Sequence, residues 1–299
     1  MAQINSSIQV LCRPALARDH ADVAEFCKGI WDGGDYVPDM WDEWLNDARG
    51  LLAVAEIDGQ VIACSKITWM SEGQWWLEGF RVDPKFHGQK VGSRIHGYVT
   101  DWWLERGDGI LRLMTKSDNF AVHRVCDKTG YIKTHEVCGY RTAPLTDPSA
   151  DFSPITDLPK AATFAIASES IQTTAGLADF GWRVGMLDES IFKVYSADES
   201  DYQHTFYWWR DKQGLLSVWD NEDDERRTLC LGVVACNLSN MRALLLDARR
   251  FAAQKNFDSV FQIAFDMPQI TSQLEAAGFE RYWKHSNAFI FEKTHPKRV

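Results

Sequence analysis

The sequence predicts a mixed α/β protein whose two halves repeat one order of strands and helices. Three observations predict this fold class. A buried strand ending at Val82 runs through a glycine-containing loop into an apolar-periodic helix. A second strand and a short helix follow over 111–131, and a similar succession returns after a segment rich in Pro, Asp, Ser and Thr. We therefore expect an α+β mixed sheet, with domains at 1–143 and 161–299 and a linker over 144–160.

Local patterns predict each element of the first half. Apolar alternation indicates a strand within 8–20 that ends at Arg13-Pro14, and helical periodicity indicates a helix over 19–29, which the segment 33–38 ends. Asp58-Gly59 is a strong hairpin turn signal. The other predicted elements are a helix through Trp41, Trp44 and Leu45, hairpin strands over 51–57 and 60–70, a strand over 75–82, a helix through Ile95 and Trp103, a strand over 110–116, a helix over 120–128 and a strand near 132–142.

The second half repeats this order in outline. Its strand-to-helix loop, Cys236 to Asn240, has no glycine and no cation to hold a pyrophosphate. We therefore expect the second half to shape the site of the first half and not to bind this ligand itself. The predicted elements are strands over 205–210, 214–219 and 227–236, an exposed turn over 221–225, a helix over 240–255, a strand over 259–265, a short helix ending at 277–279 and a strand over 287–292.

The loop over 87–92 in the first half carries the clearest chemical signal. Its two glycines let backbone N–H groups approach an anion, and the helix N-terminus that follows adds a favourable partial charge. Lys85, Lys90 and Arg94 add positive charge to a chain whose formal net charge is −10. We therefore expect this loop to bind a phosphate or a pyrophosphate.

This segment resembles the acetyl-CoA signature of the GCN5-related N-acetyltransferase (GNAT) superfamily. Val82-Asp83-Pro84 matches the strand end of that signature, and Gly92 matches its last glycine. The loop departs from the pattern at His87, where the family has Gln or Arg, and at Lys90, where a glycine is usual.

A second segment resembles the second signature of the family, an Asn that opens a helix ending in Lys-x-Gly-Phe. Asn119 and Lys128 match it in type and spacing, as do Gly130 and Tyr131. The family commonly carries a tyrosine as general acid two residues before the Lys, and this chain has Cys126 there.

Among tandem relatives, the chain is similar to histidine N-acetyltransferase-like proteins. The similarity rests on the segment Gly29 to Pro38 with the following Trp44-Leu45, on Glu78 to Arg81, and on the two-lobed length. It implies a tandem GNAT-like acyl-CoA N-acyltransferase fold with a degenerate second lobe. It also implies an amine acceptor such as the α-amine of a free amino acid.

The resemblance implies acetyl-CoA as co-substrate and assigns residues to it. The strand-end backbone would bind the pantetheine and the acetyl oxygen, and the loop N–H groups would hold the pyrophosphate. The implied cofactor-binding residues are Phe80, Arg81, Val82, His87, Gly88, Gln89, Lys90, Val91, Gly92, Ser93 and Asn119.

Acetyl transfer to an amine needs a neutral nitrogen, so an ammonium must first lose a proton. Glu78 lies in an otherwise apolar and aromatic strand, where partial burial would suit a general base. The alternative is a carboxylate on a solvated face or one paired with Arg81 or Lys66.

Three further residues have two interpretations each. Cys126 would be a general acid that protonates the leaving thiolate, or a small buried residue. Asp35 and Tyr36 would bind the acceptor, with the carboxylate gripping its ammonium, or they would belong to a Gly-Gly-Asp-x-x-Pro turn.

Composition limits the function classes. The acidic net charge disfavours nucleic acid as a partner. Seven scattered cysteines without CxxC pairs indicate reduced thiols in a cytoplasmic protein and no metal site. No apolar run is long enough to span a membrane. We expect an N-acetyltransferase acting on a small amine; the alternatives are a protein N-terminal or lysine acetyltransferase and a non-catalytic acyl-CoA-binding module.

Overall fold

The computed structural model describes residues 9–30, 34–146, 150–197, 203–223 and 226–296. Parts of four predicted features lie outside these ranges: Ile8 of the first strand, Gly33 of the loop before the second helix, residues 147–149 of the linker and residues 224–225 of the exposed turn.

The first half folds into the predicted succession of elements. Helix ends follow local chemistry: Asn119 Oδ1 accepts the N–H of Val122 where the last helix begins, and Gly130, at φ 76°, ends it. The elements are β1 (Leu11–Pro14), α1 (His20–Cys27), α2 (Trp41–Asn46), β2 (Leu51–Ile57), β3 (Gln60–Ser71), β4 (Gln74–Val82), α3 (Val91–Arg106), β5 (Ile110–Lys116), α4 (Phe120–Thr129) and β6 (Ile132–Thr142).

The second half contains the predicted elements and several that the sequence pattern did not predict. The region 158–195 forms three helices and a two-stranded hairpin, and the predicted linker contains a strand and the start of a helix capped by Asp157. The elements are β7 (Phe152–Pro154), α5 (Leu158–Ala167), α6 (Glu169–Thr173), β8 (Leu177–Asp179), β9 (Val184–Met186), α7 (Glu189–Tyr195), β10 (Thr205–Trp209), β11 (Gly214–Asp223), β12 (Arg226–Cys236), α8 (Leu238–Gln254), β13 (Ser259–Phe265), α9 (Pro268–Ala276), β14 (Glu280–Arg281) and β15 (Ala288–Thr294).

One mixed sheet of 13 strands runs through both halves. Its order is β1-β2-β3-β4-β5-β15-β6-β13-β12-β11-β10-β7, with β14 paired to β6. The last strand of the chain, β15, therefore lies between β5 and β6 of the first half, and β6 in turn pairs with β13 of the second half. Each half thus places its final strand in the sheet of the other.

The strands β4 and β5 form a parallel pair that diverges along its length. Pairing covers Gln74 to Trp76 opposite Ile110 to Arg112, and no further pair of these strands occurs in the described chain. We call the gap beyond Trp76 the β4–β5 split. A register shift opposite Ser65 bulges β4 at Gly79, which has φ 58°. A Cβ there would lie 2.5 Å from the Trp44 ring, so both the conformation and the space demand glycine.

The hairpin β8–β9 connects the halves beside β4. The Gln74 side chain binds the backbone of Met186 twice, donating to its oxygen at 2.8 Å and accepting from its nitrogen at 2.6 Å. Gly185 allows this approach, because a Cβ there would lie 3.1 Å from Met70 and 3.2 Å from Gln74. Gln74 and Gly185 therefore hold the hairpin in a fixed position along β4.

Helices cover both faces of the sheet, and the largest apolar cluster belongs to both halves. It joins Met70 and Trp76 of the first half to Phe180, Phe261 and Ile290, all nearly inaccessible to solvent. None of the helices in the described ranges combines the length and apolar character needed to cross a lipid bilayer.

Candidate active site

The loop between β4 and α3 presents unpaired backbone donors. In the described chain, the N–H groups of Gly88, Lys90, Val91, Gly92 and Ser93 have no hydrogen-bond acceptor. Such groups at the N-terminus of a 16-residue helix form an anion site. This arrangement agrees with the sequence expectation for the loop.

Two residues give the loop its shape. Gly88 has φ 78°, and Lys90, the residue that precedes α3, has φ 63°. A lysine therefore adopts the left-handed conformation that the glycine of the family pattern would adopt freely. Lys90 is exposed, as are Lys85 and Arg94. The departure at Lys90 thus keeps the loop backbone and adds a cation.

At the end of β4, the backbone groups of alternate residues point into the β4–β5 split. The N–H of Asp83 donates to Ile62 O on β3, and the hydrogen-bonding direction alternates along an antiparallel strand. The backbone groups of Phe80 and Val82 therefore point away from β3, and Val82 O accepts from His87 Nε2 at 3.1 Å. Arg81 pairs with Cys64 on β3, which corrects the expectation that its backbone also faces the split.

Glu78 lies beside the bulge and is engaged by the second half. Arg183 donates to its carboxylate through Nη2 at 2.8 Å and Nε at 3.2 Å, and the Thr68 hydroxyl donates at 2.5 Å. The alternative prediction, in which Glu78 pairs with Arg81 or Lys66, is right that the carboxylate is paired and wrong about its partner. Sequence reasoning missed Arg183 because nothing in the local pattern of 180–184 points to a residue more than 100 positions earlier.

Asp35 does not present a free carboxylate. It binds Arg81 at 2.6 and 3.1 Å, accepts the N–H of Val37 and is 7 % exposed. The charge of Asp35 already has a partner in Arg81, and the role of Asp35 toward a substrate ammonium remains a prediction.

Tyr36, the residue after Asp35, lies beside Trp44. Its ring packs edge-on against Trp44, with centroids 5.9 Å apart, and the residue is 38 % exposed. Desolvation of the hydroxyl raises the pKa of Tyr36 to about 12, and the charge of Glu78 adds to this. Tyr36 therefore remains a phenol at neutral pH, close to Glu78.

Cys126 is fully buried in the core of the first half, among Val99, Trp103 and Leu111. Burial raises the pKa of its thiol to about 12. The burial of the sulfur favours the small buried residue, and the general-acid role of Cys126 remains a prediction. Asn119 caps α4 and donates to the Thr115 hydroxyl at 3.1 Å, so its role toward a cofactor remains a prediction.

The matching positions of the second half are closed. Glu169 accepts the N–H of Leu238 at 2.9 Å, so a carboxylate occupies the N-terminus of α8. The Ser170 hydroxyl bridges Val234 O and Cys236 N in the gap between β12 and β13. What remains there is a cavity of about 30 Å³, room for a water molecule or two.

Candidate metal ligands do not cluster in the part of the chain that the structure describes. No three His, Cys, Asp or Glu side chains lie together there in positions that could hold a metal ion.

Comparisons with known proteins support the geometry. The sequence model of the Acetyltransferase (GNAT) family matches residues 18–131. A histidine N-acetyltransferase from Oreochromis niloticus is 31 % identical over 125 residues, 40 % of this chain and 37 % of that protein. An aminoglycoside N(6')-acetyltransferase type 1 from Stenotrophomonas maltophilia is 26 % identical over 46 % of this chain and 95 % of that protein. The chain thus spans little more than a third of the histidine N-acetyltransferase.

Solved structures share the whole fold. A GCN5-related N-acetyltransferase from Sphaerobacter thermophilus has a TM-score of 0.62 at 13 % identity and covers 95 % of each chain. A tandem GNAT protein from the clavulanic acid biosynthesis pathway has a TM-score of 0.60 at 10 % identity, covering 97 % of this chain and 100 % of that one. Residues 18–131 therefore match the Acetyltransferase (GNAT) family, within a mixed α/β chain that shares the fold of tandem GNAT proteins.

Proposed function

We propose that this protein is an acetyl-CoA-dependent N-acetyltransferase that acts on the amine of a small molecule, with free amino acids among its acceptors. The observation that carries the proposal is the continuity of three features in the first half. The anion loop, the outward-facing backbone of Phe80 and Val82, and the Glu78 carboxylate follow one another along β4 and the start of α3.

The residues present fit acetyl-CoA. The unpaired N–H groups of Gly88 and of residues 90–93 suit a pyrophosphate, and the same segment carries three exposed cations, Lys85, Lys90 and Arg94. The N–H groups of Phe80 and Val82 would supply strand-edge donors for a pantetheine arm, whereas the carbonyl oxygens of these residues already accept from Arg81 Nη1 at 3.0 Å and His87 Nε2 at 3.1 Å. Acetyl-CoA would supply the acetyl group as a thioester.

Glu78 is the proposed base. Its carboxylate takes a proton from the acceptor ammonium, and the neutral amine then attacks the thioester carbonyl. The N–C bond forms as the C–S bond breaks, the electron pair leaves on sulfur, and the nitrogen releases its second proton to solvent. A thiol has an ordinary pKa of about 8.5, so the thiolate leaves without a protein acid and takes its proton from solvent.

We propose that the second half binds no acetyl-CoA and completes the acceptor side of the first half. The carboxylate of Glu169 at the start of α8 and the hydroxyl of Ser170 in the β12–β13 gap support this. Seven free cysteines, six of them buried, support a reducing compartment such as the cytoplasm.

A thiol-release assay tests the function. The full chain is incubated with acetyl-CoA and a panel of free amino acids including histidine, polyamines and short peptides. Release that depends on a small amine, with the acetylated amine identified by mass spectrometry, is the expected result. Release only with peptides would favour a protein acetyltransferase, and binding of acetyl-CoA without release on any acceptor would favour a non-catalytic module.

A further inference from the structure

The turn of the hairpin β8–β9 has an unusual construction. Phe180 N–H donates to Arg183 O at 2.7 Å, and the two residues between them, Gly181 and Trp182, have φ 73° and φ 67°. Two consecutive positive φ values in a hairpin loop normally select Asn or Gly. A tryptophan in the left-handed region is strained, and such strain concentrates at functional sites.

The turn delivers Arg183 from the second half to Glu78 in the first half. Both side chains are largely enclosed, with 5 % and 11 % of their surfaces exposed. A buried ion pair is weak evidence for a stabilising role, because desolvation cancels much of its attraction. The apolar cluster already stabilises the contact between the halves. We therefore expect the ion pair to have another role.

Partly exposed aromatic rings lie beside this pair. Tyr36 is 38 % exposed and packs against Trp44, whose ring lies against Gly79, the residue after Glu78. Trp182, next to Arg183 in the chain, is 41 % exposed and stacks on Phe261 with centroids 5.7 Å apart. The enclosed charges thus lie next to two rings that solvent and a small molecule can reach.

We propose that Arg183 is a specificity residue that binds the carboxylate of the acceptor, so that the preferred acceptors are zwitterionic α-amino acids. This rests on the proposed function. A zwitterion offers its ammonium to Glu78 and its carboxylate to Arg183, and it replaces the Glu78–Arg183 contact by two contacts of the same kind. The acceptor nitrogen is then held at the base beside the bulge of β4.

An acceptor without a carboxylate fits less well. Its ammonium would compete with Arg183 for Glu78, and it has no carboxylate that could take the place of Glu78 beside this arginine, which is 4 % exposed. The site therefore discriminates by the cost of weakening a buried charge contact, which gives strong selectivity in other binding sites.

Matched acceptor pairs test the proposal in the thiol-release assay. The pairs are histidine with histamine and with histidine amide, and lysine with cadaverine, each measured with wild type, Arg183→Gln and Arg183→Lys. Arg210→Gln is the control, since Arg210 forms an ion pair with Asp247 in the second half, away from β4.

For the wild type we expect kcat/KM to be at least about 10-fold higher for the carboxylated member of each pair. Arg183→Gln should raise KM for the amino acid by about 10- to 100-fold and lower KM for its carboxylate-free partner, whose ammonium no longer competes with Arg183 for Glu78, with Arg183→Lys between wild type and Arg183→Gln. Arg210→Gln should preserve the wild-type preference.

Equal use of both members by the wild type would overturn the carboxylate assignment and leave the N-acetyltransferase function intact. An equal loss for both members in Arg183→Gln would also overturn it, because a merely structural arginine predicts that result. No turnover with any acceptor would overturn the function and this inference together.

Discussion

Arg183, in the second half of the chain, donates to both carboxylate oxygens of Glu78, in the first half, across 105 positions of sequence. The contact means that both halves of the chain form the surroundings of the proposed base.

Replacing the base should remove the chemistry and leave cofactor binding. Glu78→Gln keeps the shape of the side chain but cannot take a proton, so we expect kcat to fall by about 10²- to 10⁴-fold. Calorimetry should show unchanged affinity for acetyl-CoA. Glu72→Gln, on the exposed turn between β3 and β4, is the control. Full activity in Glu78→Gln would exclude Glu78 as the base.

Lys90 should contribute to binding through its charge and oppose folding through its backbone. We expect Lys90→Glu to weaken acetyl-CoA binding by about 3- to 10-fold at low salt, with a smaller effect at high salt because the site is exposed. Lys90→Gly should raise the free energy of unfolding by about 1 kcal/mol, since glycine adopts φ 63° without strain. Lys160→Glu, exposed at the start of α5, is the control; equal weakening there would make the effect one of net charge.

The bulge of β4 should tolerate no side chain. At Gly79, alanine meets both the left-handed backbone and the Trp44 ring, and we expect a loss of about 3 kcal/mol or more in the free energy of unfolding. Gly59 has φ 84°, and no atom lies within 4 Å of the position that a Cβ would occupy there, so Gly59→Ala isolates the backbone cost of about 1 kcal/mol. Urea unfolding measures both, and equal losses would show that Trp44 yields without cost.

The buried His96 should make stability depend on pH. Burial lowers the pKa of His96 to about 4, helped by Lys293, whereas the unfolded chain has the ordinary value near 6.5. Between these values the unfolded state binds the extra proton, so stability falls as the pH falls below 6.5. From pH 7 to pH 5.5 we expect His96 to account for a loss of about 1 kcal/mol.

Comparison with His96→Leu isolates this contribution from other titrating groups, among them Asp179, whose pKa burial raises, with the opposite effect on stability. As the pH falls from 7 to 5.5, the free energy of unfolding of the wild type should decrease relative to that of His96→Leu. A constant difference between them would show that His96 titrates alike in both states.

The exchanged strand should make the halves fold together. Ile290 and Phe291 of β15 are 0 % and 4 % exposed between β5 and β6. Removing 288–299 should abolish cooperative unfolding of the chain, and residues 1–143 alone should not fold, because β5 and β6 would lose the strand between them. Removing only 297–299 is the control; a folded 1–143 fragment would contradict this expectation.

Local patterns were sufficient for the elements of the first half and for the anion loop, because hydrophobic periodicity, Asp58-Gly59 and the glycines around His87 act over short distances. The same patterns could not predict β8 and β9, which have three residues each, or the contact of Arg183 with Glu78. The position of β15 also depends on pairing across more than 150 residues, which periodicity does not encode.

The candidate site shows the same difference between local features, which the sequence predicts, and long-range contacts, which it does not. The backbone donors of the loop over 87–92 were predictable because they are consecutive in the chain. The surroundings of Cys126 and Asp35 were not predictable, because they depend on burial and on Arg81, which lies 46 residues from Asp35. Residue type and spacing alone do not distinguish a free carboxylate from a paired one.

The stoichiometry of acetyl-CoA binding to the full chain tests the central claim most directly, because only the first half keeps an open anion loop beside a diverging strand pair. Isothermal titration calorimetry should give one site per chain, weakened by Lys90→Glu and unaffected by Glu169→Gln at the start of α8. Two sites per chain, or a single site that responds to Glu169→Gln and not to Lys90→Glu, would contradict the account.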